Sequence, residues 1–324
     1  MSEAAVRSGL FGGRLSPATL RRLGALAALI AVVAFGASRN PAFLEPENIL
    51  NILRQNAVLG LLSVGMTIVI VSGGIDLSVG SILSFTSVLA VTLAGQGLAI
   101  AILVPTLAGV ALGLVNGLIV ARLRIAPFIA TLAMLLALRG LTIAIFGEET
   151  VALTEGRDAF VAFGRATVFG LPIQVPIVAA AFVAGFVLLR YTRFGRAVHA
   201  IGGSEDSARL LGLRVERVKT IVYAISGGCA GLAGVLFAAR ISAGITNYGL
   251  GLELDAITAV ALGGTLLTGG VGGVGGTLIG VLLVGSLFNV FNLDASLNTF
   301  LQKVVRGLLL IVVVVLQGSL SRRR

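Results

Sequence analysis

Apolar stretches close to 20 residues long recur along the chain, and this recurrence constrains the fold more than any other feature. A helix needs about 20 predominantly apolar residues to cross the hydrocarbon core of a bilayer. Of the 324 residues, 57% are hydrophobic and only 12% are charged, whereas soluble domains carry about 25% charged residues. The sequence therefore predicts an all-α membrane protein with about ten transmembrane helices, at residues 20–37, 57–72, 80–95, 98–121, 125–146, 173–190, 219–239, 256–269, 276–293 and 299–317.

The distribution of charge predicts how these helices are oriented. Cytoplasmic loops of membrane proteins carry an excess of arginine and lysine, and arginines both precede the first apolar segment and follow the last. Both termini are therefore expected in the cytoplasm, which requires an even number of crossings. Ten crossings also place the arginine-rich loop 190–219 inside and the acidic loop 147–172 outside, so the charge pattern agrees with this count along the chain.

An internal similarity indicates how the transmembrane region is organised. Residues 75–82 (IDLSVGSI) weakly resemble residues 253–260 (ELDAITAV), five segments apart and on opposite sides of the membrane. An inverted 5+5 repeat would produce this arrangement. Segments 80–95 and 256–269 are short for straight spans, and either could be a broken or re-entrant helix. The predicted regions are a cytoplasmic N-terminal tail (1–19), a transmembrane domain (20–318) and a basic cytoplasmic tail (319–324).

The residue inventory excludes several kinds of chemistry. One cysteine, Cys229, and one histidine, His199, cannot form an internal disulfide or a metal cluster. Residues 270–275 fit GxGxxG, but predicted spans flank them instead of the strand and helix of a dinucleotide fold, so we interpret them as a turn. No lysine follows a glycine as in a phosphate-binding GxxxxGK[ST] loop, so we predict no cofactor and no enzyme. The net charge of +10 does not indicate nucleic-acid binding, because the basic residues lie between apolar segments.

The loop between residues 190 and 219 carries the signature of a short isolated helix. Ser204 is a favourable N-cap, Glu205 and Asp206 suit the positive end of the helix dipole, and Gly212 is a typical stop. Solvated loop structure is the default interpretation, but a capped helix between two spans also suits the docking of a cytoplasmic partner. The segment comprises Gly203, Ser204, Glu205, Asp206, Ser207, Ala208, Arg209, Leu210, Leu211 and Gly212.

A polar, glycine-rich break at residues 72–80 separates two apolar segments and carries Asp76. A charged residue at the centre of a membrane helix costs about 2.5–3.5 kcal/mol. Embedded acids therefore usually face the protein interior or a water-filled cavity. The alternative is a cytoplasmic turn in which Asp76 caps the next helix.

Four long stretches carry a recognisable pattern, and together they cover most of residues 48–318. They are GLLSVGMTIVIVSGGIDLSVGSIL, ARLRIAPFIATLAMLLALRGLT, RFGRAVHAIGGSEDSARLLGLRVERVKTIVYAISG and LELDAITAVALGGTLLTGG. These stretches resemble the ribose/xylose-type permeases of bacterial ATP-binding-cassette (ABC) importers. The resemblance implies the ABC importer permease fold, and a membrane subunit that moves a sugar or sugar-like solute into the cytoplasm. The motifs are shared across pentose, hexose and polyol systems, so they do not select one solute.

The same resemblance implies partners and a location. A second permease subunit, identical or related, completes the path across the bacterial inner membrane. A separate cytoplasmic ATPase binds ATP and Mg²⁺, and a periplasmic sugar-binding protein delivers the solute. Residues 204–211 match the element that couples the permease to the ATPase. The competing class is an ion-coupled secondary transporter, which would need ion ligands deep in the membrane, where Asp76, Arg139 and Asp255 are the plausible charges.

The solute path is predicted from polar and aromatic residues within or beside apolar segments. A sugar presents hydroxyl groups, so a low-affinity path needs scattered hydrogen-bonding and aromatic groups instead of a fixed charged pocket. Hydrogen bonds between helices explain such residues equally well. Asn116 is the first choice, because it adjoins Gly117 on the glycine-rich fourth segment. The candidates are Asn56, Thr67, Asp76, Phe85, Asn116, Phe128, Thr131, Asn247, Asp255 and Asn289.

Overall fold

The computed structural model describes residues 17–154 and 158–293 and, beyond these, residues 301, 304, 305, 307, 308, 310, 311 and 315. The described residues are mostly helical, as predicted for an all-α membrane protein. The α-helices of the two long described ranges are α1 (Pro17–Arg39), α2 (Pro46–Val71), α3 (Val79–Leu93), α4 (Leu98–Arg122), α5 (Pro127–Phe146), α6 (Asp158–Arg165), α7 (Gln174–Tyr191), α8 (Arg193–Gly203), α9 (Glu205–Leu210), α10 (Val215–Ile241), α11 (Leu252–Leu262) and α12 (Val274–Leu293).

Short elements join some of these helices. Two 3₁₀ turns, Pro41–Leu44 and Ala94–Gln96, precede α2 and α4. The two-residue strands are β1 (Val151–Ala152), β2 (Thr167–Val168), β3 (Leu171–Pro172) and β4 (Ala243–Gly244). β1 pairs with β4 and β2 with β3, both antiparallel. The first pair ties the predicted outer loop to the residues that follow α10.

Seven of the described helices are long and apolar enough to cross a membrane: α2, α3 with its continuation to Gln96, α4, α5, α7, α10 and α12. The apolar part of α1, Leu23–Arg39, is shorter. The predicted segment 299–317 and both predicted tails lie largely outside the described residues. The helical membrane fold is therefore confirmed, while the count of ten spans and the inverted repeat stay predictions.

Helix α10 packs against α2, α3 and α4. Glycines make its closest contacts: a Cβ added to Gly113 of α4 would overlap the carbonyl oxygen of Tyr223, and one added to Gly227 of α10 would overlap that of Gly109. Small residues at four-residue spacing predict such contacts, because they let helix backbones approach closely in lipid. The structure shows this packing between α4 and α10.

The predicted eighth span, residues 256–269, is discontinuous. Residues 245–251 lie in turns beside the middle of α3, where the N–H of Gly249 donates a hydrogen bond to Ser84 Oγ (2.9 Å). Helix α11 begins only after this stretch and is about 16 Å long. A hydrocarbon core is about 30 Å thick, so α11 is a half-helix that starts inside the protein. Discontinuous helices of this type occur in many transporters.

Candidate functional site

A polar cavity of about 140 Å³ lies between α2, α10, α11 and α12. We refer to it as the polar cavity. Two of the predicted path residues, Asn56 and Asp255, contribute to its wall. The full lining is Gln55, Asn56, Val58, Leu59, Arg240, Tyr248, Leu252, Asp255, Gly285, Phe288 and Asn292.

Asn56 enters the polar cavity from α2. Its Nδ2 donates a hydrogen bond to the carbonyl oxygen of Ile52 (2.7 Å), which fixes the side chain along the helix. The amide lies directly over Gly285 of α12, and a Cβ added to Gly285 would overlap it. Gly285 therefore provides the room that the Asn56 side chain occupies. An amide both donates and accepts hydrogen bonds, which suits contact with hydroxyl groups.

Aromatic and charged side chains form another part of the wall. The Tyr248 ring stacks on Phe237 of α10, with 3.5 Å between the ring centroids. The Arg240 guanidinium lies 5.8 Å from the centroid of the same Phe237 ring. Asp255 belongs to the first turn of α11 and is buried. Amide, guanidinium, carboxylate and phenol groups all form hydrogen bonds with hydroxyls, so the wall of the cavity has the chemistry to contact a polyhydroxylated solute.

A second group of polar residues forms a buried network beyond the end of α2. Ser226 of α10 donates to Asp76 Oδ2 (2.8 Å), and Ser78 donates to Asp76 Oδ1 through its hydroxyl (2.6 Å) and its N–H (3.1 Å). Asn116 of α4 donates to Ser78 Oγ (2.8 Å). All four side chains are buried. Asp76 therefore faces the protein interior, and the network fixes residues 72–78 between helices without lining the polar cavity.

Two more predicted path residues connect helices to each other. Thr67 of α2 is buried, and its hydroxyl oxygen lies 2.7 Å from that of Thr277 on α12. Asn289 of α12 exchanges hydrogen bonds with Asn48 of α2, each 2.9 Å long. Hydrogen bonding between helices, which was the alternative interpretation, accounts for both contacts.

The remaining candidates also lie outside the lining of the polar cavity. Thr131 is buried and donates to the carbonyl oxygen of Pro127 (2.8 Å). Phe85 is half-buried, and its ring centroid lies 6.0 Å from that of Phe146. Phe128 and Asn247 are exposed. The structure thus brings Asp76 and Asn116 into one network and Asn56 and Asp255 into one cavity, and it separates the other candidates.

The predicted short helix is α9, and its capping pattern is confirmed. Ser204 Oγ accepts a hydrogen bond from the N–H of Ser207 (3.2 Å). Gly212 ends the segment with a φ of +78°, which a glycine adopts without strain. The helix itself covers Glu205–Leu210, inside the predicted residues 203–212. The sequence did not predict the preceding helix α8 as a separate element.

One face of the α9 region is anchored and the other is free to make contacts. Ala208 is buried in a small apolar cluster with Ile201 of α8 and Val215 of α10. Leu210 and Leu211 are 89% and 79% exposed. These two adjacent leucines are therefore free to contact a partner.

Charged side chains hold α9 against the start of α10. Glu205 pairs with Arg209 (2.9 Å) and with Lys219, and Arg209 also pairs with Glu216. Partial burial raises the pKa of Glu205, but the hydrogen bonds from Lys219 and Arg209 outweigh it and lower that pKa below its ordinary 4.5. The Glu205 carboxylate is therefore held in its charged form.

A close backbone crossing connects α8 with the end of α2. The N–H of Gly270, in the turn between α11 and α12, donates to the carbonyl oxygen of Val71 (2.9 Å). Gly202 of α8 packs against both the N–H of Gly270 and the carbonyl group of Val71, and a Cβ added to Gly202 would overlap the Val71 oxygen. Gly202 of α8 therefore contacts both the end of α2 and the turn after α11.

Sequence reasoning missed four polar residues of the polar cavity: Gln55, Arg240, Tyr248 and Asn292. Gln55 immediately precedes Asn56, which was a candidate. Arg240 lies at the end of an apolar segment, where an arginine usually indicates only the membrane boundary. Tyr248 lies in the irregular stretch before α11, which the sequence did not place inside the protein. Its neighbour Asn247 was predicted instead.

The comparisons with known proteins agree with this architecture. Residues 48–314 match the model of the family described as "Branched-chain amino acid transport system / permease component". The chain is 42% identical to "Ribose import permease protein RbsC" of Bacillus subtilis, over 93% of this chain and 94% of that protein. It is 40% identical to the Escherichia coli K12 protein of the same name, over 91% and 92%.

A relative whose name gives another sugar has a similar sequence identity to the chain. The chain is 40% identical to "L-arabinose ABC transporter permease protein AraH" of Azospirillum brasilense, over 88% of this chain and 84% of that protein. No solved structure matches the chain. The family match covers well over half of the chain, and the three relatives align with almost all of it. The chain therefore belongs to the branched-chain amino acid transport system / permease component family, and it is a membrane-embedded transporter subunit rather than an enzyme.

Proposed function

We propose that this chain is the membrane-spanning subunit of a binding-protein-dependent ABC importer, and that a sugar or sugar-like solute passes through the polar cavity on its way to the cytoplasm. The names of the relatives support the solute class, because they include ribose and L-arabinose importers. The observation that carries the proposal is the cavity itself, in which polar and aromatic side chains meet between four helices.

The chemistry of the cavity suits brief contact with a sugar. Asn56 and the nearby Gln55 provide amides, and the Tyr248 ring offers a flat apolar face beside a hydroxyl. Sites for small polar ligands usually combine an apolar lining with a few placed polar groups. Tight recognition is left to the separate binding protein, so the sparse lining favours passage over retention.

Cysteine modification tests this path. Asn56→Cys in a Cys229→Ala background places one thiol on the cavity wall, and Asn51→Cys places one on the same helix outside the lining. We expect a thiol reagent at Asn56→Cys to block uptake, and the transported sugar to slow the modification. The same reagent at Asn51→Cys should leave uptake intact. Unchanged uptake after complete modification at Asn56→Cys would remove the cavity from the path.

Residues 203–212, which include α9, are proposed as the docking element for the cytoplasmic ATPase. In this scheme the ATPase binds ATP and Mg²⁺, and no cofactor is proposed for the present chain. The exposed Leu210 and Leu211 would insert into the ATPase, and the buried Ala208 would keep α9 fixed to α10. The Gly202 crossing would then transmit ATPase movement to α2. Within residues 203–212, α9 and Leu211 make the contact, and Gly203 only links α9 to the end of α8.

Crosslinking tests the docking element. A thiol at Leu210→Cys should form a crosslink to the ATPase subunit, because the wild-type side chain is 89% exposed. A thiol at Phe169→Cys, in the predicted outer loop, is a fully exposed control that should not reach the ATPase. Capture from Phe169→Cys but not from Leu210→Cys would reverse the proposed orientation.

The remaining partners follow from the same scheme. The predicted outer loop presents Glu148, Glu149 and Asp158 as exposed acids. We propose that this loop contacts the periplasmic sugar-binding protein. Glu155 of the same loop lies outside the described residues. Exposed charge mainly tunes association rates. A second permease subunit, identical or related, completes the path. The proposed location is the bacterial inner membrane, with both termini in the cytoplasm.

An ion-coupled secondary transporter was the alternative, and the comparisons do not support it. That class needs ion ligands within the membrane. Among the described residues, Asp76 already accepts hydrogen bonds from two serines and one N–H. Its oxygens are therefore committed to the structure of residues 72–78.

A further inference from the structure

A second cavity, of about 360 Å³, lies at the C-terminal end of α7, which the charge pattern of the sequence predicts to be cytoplasmic. Arg190, Arg196 and His199 line it together with Phe186 and the turn at residues 272–275. Its volume falls within the range of about 300–1,000 Å³ that small-ligand sites occupy. It is separate from the polar cavity, with which it shares no lining residue.

Hydrogen bonds fix the walls of this basic cavity. Thr192 Oγ1 donates to the carbonyl oxygen of Leu188 (2.6 Å) and accepts from the N–H of Gly195 (3.0 Å), so the corner between α7 and α8 is rigid. His199 Nδ1 lies 2.8 Å from the carbonyl oxygen of Gly195, and Nε2 lies 3.3 Å from that of Gly272. The imidazole therefore joins α8 to the turn before α12.

Among the described residues, no ion pair neutralises the arginines that line the basic cavity. No Asp or Glu occurs between residues 173 and 203 or between residues 256 and 293. In the part of the chain that the structure describes, neither Arg190 nor Arg196 forms an ion pair. Guanidinium groups present several N–H donors that fit phosphate oxygens. The cavity therefore has the chemistry of a phosphate site.

Neighbouring side chains place the cavity at the membrane surface. Helix α7 is a candidate span with an exposed apolar face that includes Val183, Phe186 and Val187. Tyr191 ends the helix, 68% exposed and edge-on to Phe186. Tyrosines gather at the level of the lipid headgroups, and arginines at helix ends extend toward that level. The basic cavity thus opens where apolar helix surface meets water.

We propose that the basic cavity binds the phosphate headgroup of an anionic phospholipid, whose acyl chains lie along the exposed face of α7. Basic pockets between membrane helices on the cytoplasmic side are suited to such headgroups. A bound lipid would brace α8 against the turn at residues 272–275, next to the Gly202 crossing. The site does not depend on which solute is transported.

Lipid quenching of a single tryptophan tests the site. The sequence contains no tryptophan, so Phe186→Trp in the full chain provides one reporter at the basic cavity. Vesicles contain either brominated phosphatidylglycerol or brominated phosphatidylcholine, each of which quenches on contact. An arginine beside an anionic headgroup contributes about fivefold in affinity, so we expect a preference for phosphatidylglycerol of about 25-fold from two arginines.

Matched variants separate a specific site from general surface charge. Arg190→Gln with Arg196→Gln should remove the preference, while Arg190→Lys with Arg196→Lys should keep most of it. Arg122→Gln with Arg193→Gln removes two exposed arginines that do not line the cavity, and it should leave the preference unchanged.

Equal quenching by both lipids in the parent protein would overturn the proposal, and so would an equal loss of lipid preference in the two Gln pairs. It would also be overturned if free inorganic phosphate displaced the lipid. A fourth contradicting result is that the Arg190→Gln, Arg196→Gln pair loses ATPase binding but keeps its lipid preference. The third result would indicate a site for soluble phosphate. The fourth would assign the two arginines to the ATPase interface.

Discussion

Ser226 donates a hydrogen bond of 2.8 Å to Oδ2 of Asp76, although 150 residues separate the two in the chain. The bond joins α10 to the break between α2 and α3, inside the protein. Asn116 is connected to the Asp76 carboxyl group through Ser78, because it donates to the Ser78 hydroxyl, which in turn donates to Asp76. A buried polar network of this kind stabilises one arrangement of helices when its members are satisfied. Asp76, one of the candidate path residues, therefore also connects α10 to the break between α2 and α3.

Replacing Ser226 with alanine tests this connection. The substitution removes one hydrogen bond to a buried carboxyl group, so we expect the free energy of unfolding to fall by about 1–3 kcal/mol. Ser38→Ala removes an exposed serine and should change stability little. Unfolding in mixed micelles measures both variants. Equal stability of Ser226→Ala and the parent protein would show that the bond contributes nothing.

Asn116→Leu separates packing from a role in the solute path. Asn116 is completely buried and donates to Ser78, while its Oδ1 lacks a hydrogen-bond partner among the described residues. A leucine at this position cannot form the hydrogen bond to Ser78, but it also removes the unpartnered oxygen. We therefore expect the free energy of unfolding to fall by at most about 1.5 kcal/mol. Sugar uptake per inserted protein should be unchanged. Reduced uptake at normal stability would return Asn116 to the path.

The order of α9 should depend on pH through Glu205. The pKa of Glu205 is lower in the folded protein than its ordinary 4.5, so its ion pairs contribute fully above about pH 4.5. That contribution is lost as the pH falls through the folded pKa. A spin label at Leu210→Cys should therefore become more mobile below about pH 4.5. Adding Glu205→Gln should weaken this change, while Glu216 still pairs with Arg209. An undiminished transition in the double variant would assign it to another group.

Gly202→Ala tests transmission between α8 and α2. A Cβ at Gly202 would overlap the carbonyl oxygen of Val71, whereas one at the neighbouring Gly203 would meet open space. Gly202→Ala should therefore lower the number of solute molecules imported per ATP hydrolysed, while Gly203→Ala should keep the parent ratio. The ratio is measured with both variants at equal membrane levels. Identical coupling in the two variants would show that the crossing does not transmit movement.

Local signals in the sequence were sufficient for some elements. Ser204 and Gly212 predicted where α9 begins and ends, because a cap and a stop act through hydrogen bonds and backbone angles within a few residues. Glycine spacing marked the fourth segment as a packing face, because close helix contacts depend on the absence of side chains on one helix face, but it did not identify α10 as the partner.

Long-range relationships could not be predicted from the sequence. Asn56 and Asp255 line one cavity, but nothing in their local patterns pairs them. Tyr248 was missed because the apolar content of residues 245–251 does not show that this stretch runs inside the protein as turns. The predicted span 256–269 was placed too late in the chain, since hydropathy does not distinguish a half-helix from the turn that follows it.

Reconstituted transport tests the central claim most directly. The chain would be placed in proteoliposomes with its ATPase and binding protein, and uptake of labelled pentoses and hexoses would be measured with and without ATP. The proposed function predicts uptake of at least one sugar that requires ATP and both partners, and that continues when ionophores collapse the Na⁺ and proton gradients. Uptake that is driven by an ion gradient and needs neither ATP nor the ATPase would contradict it.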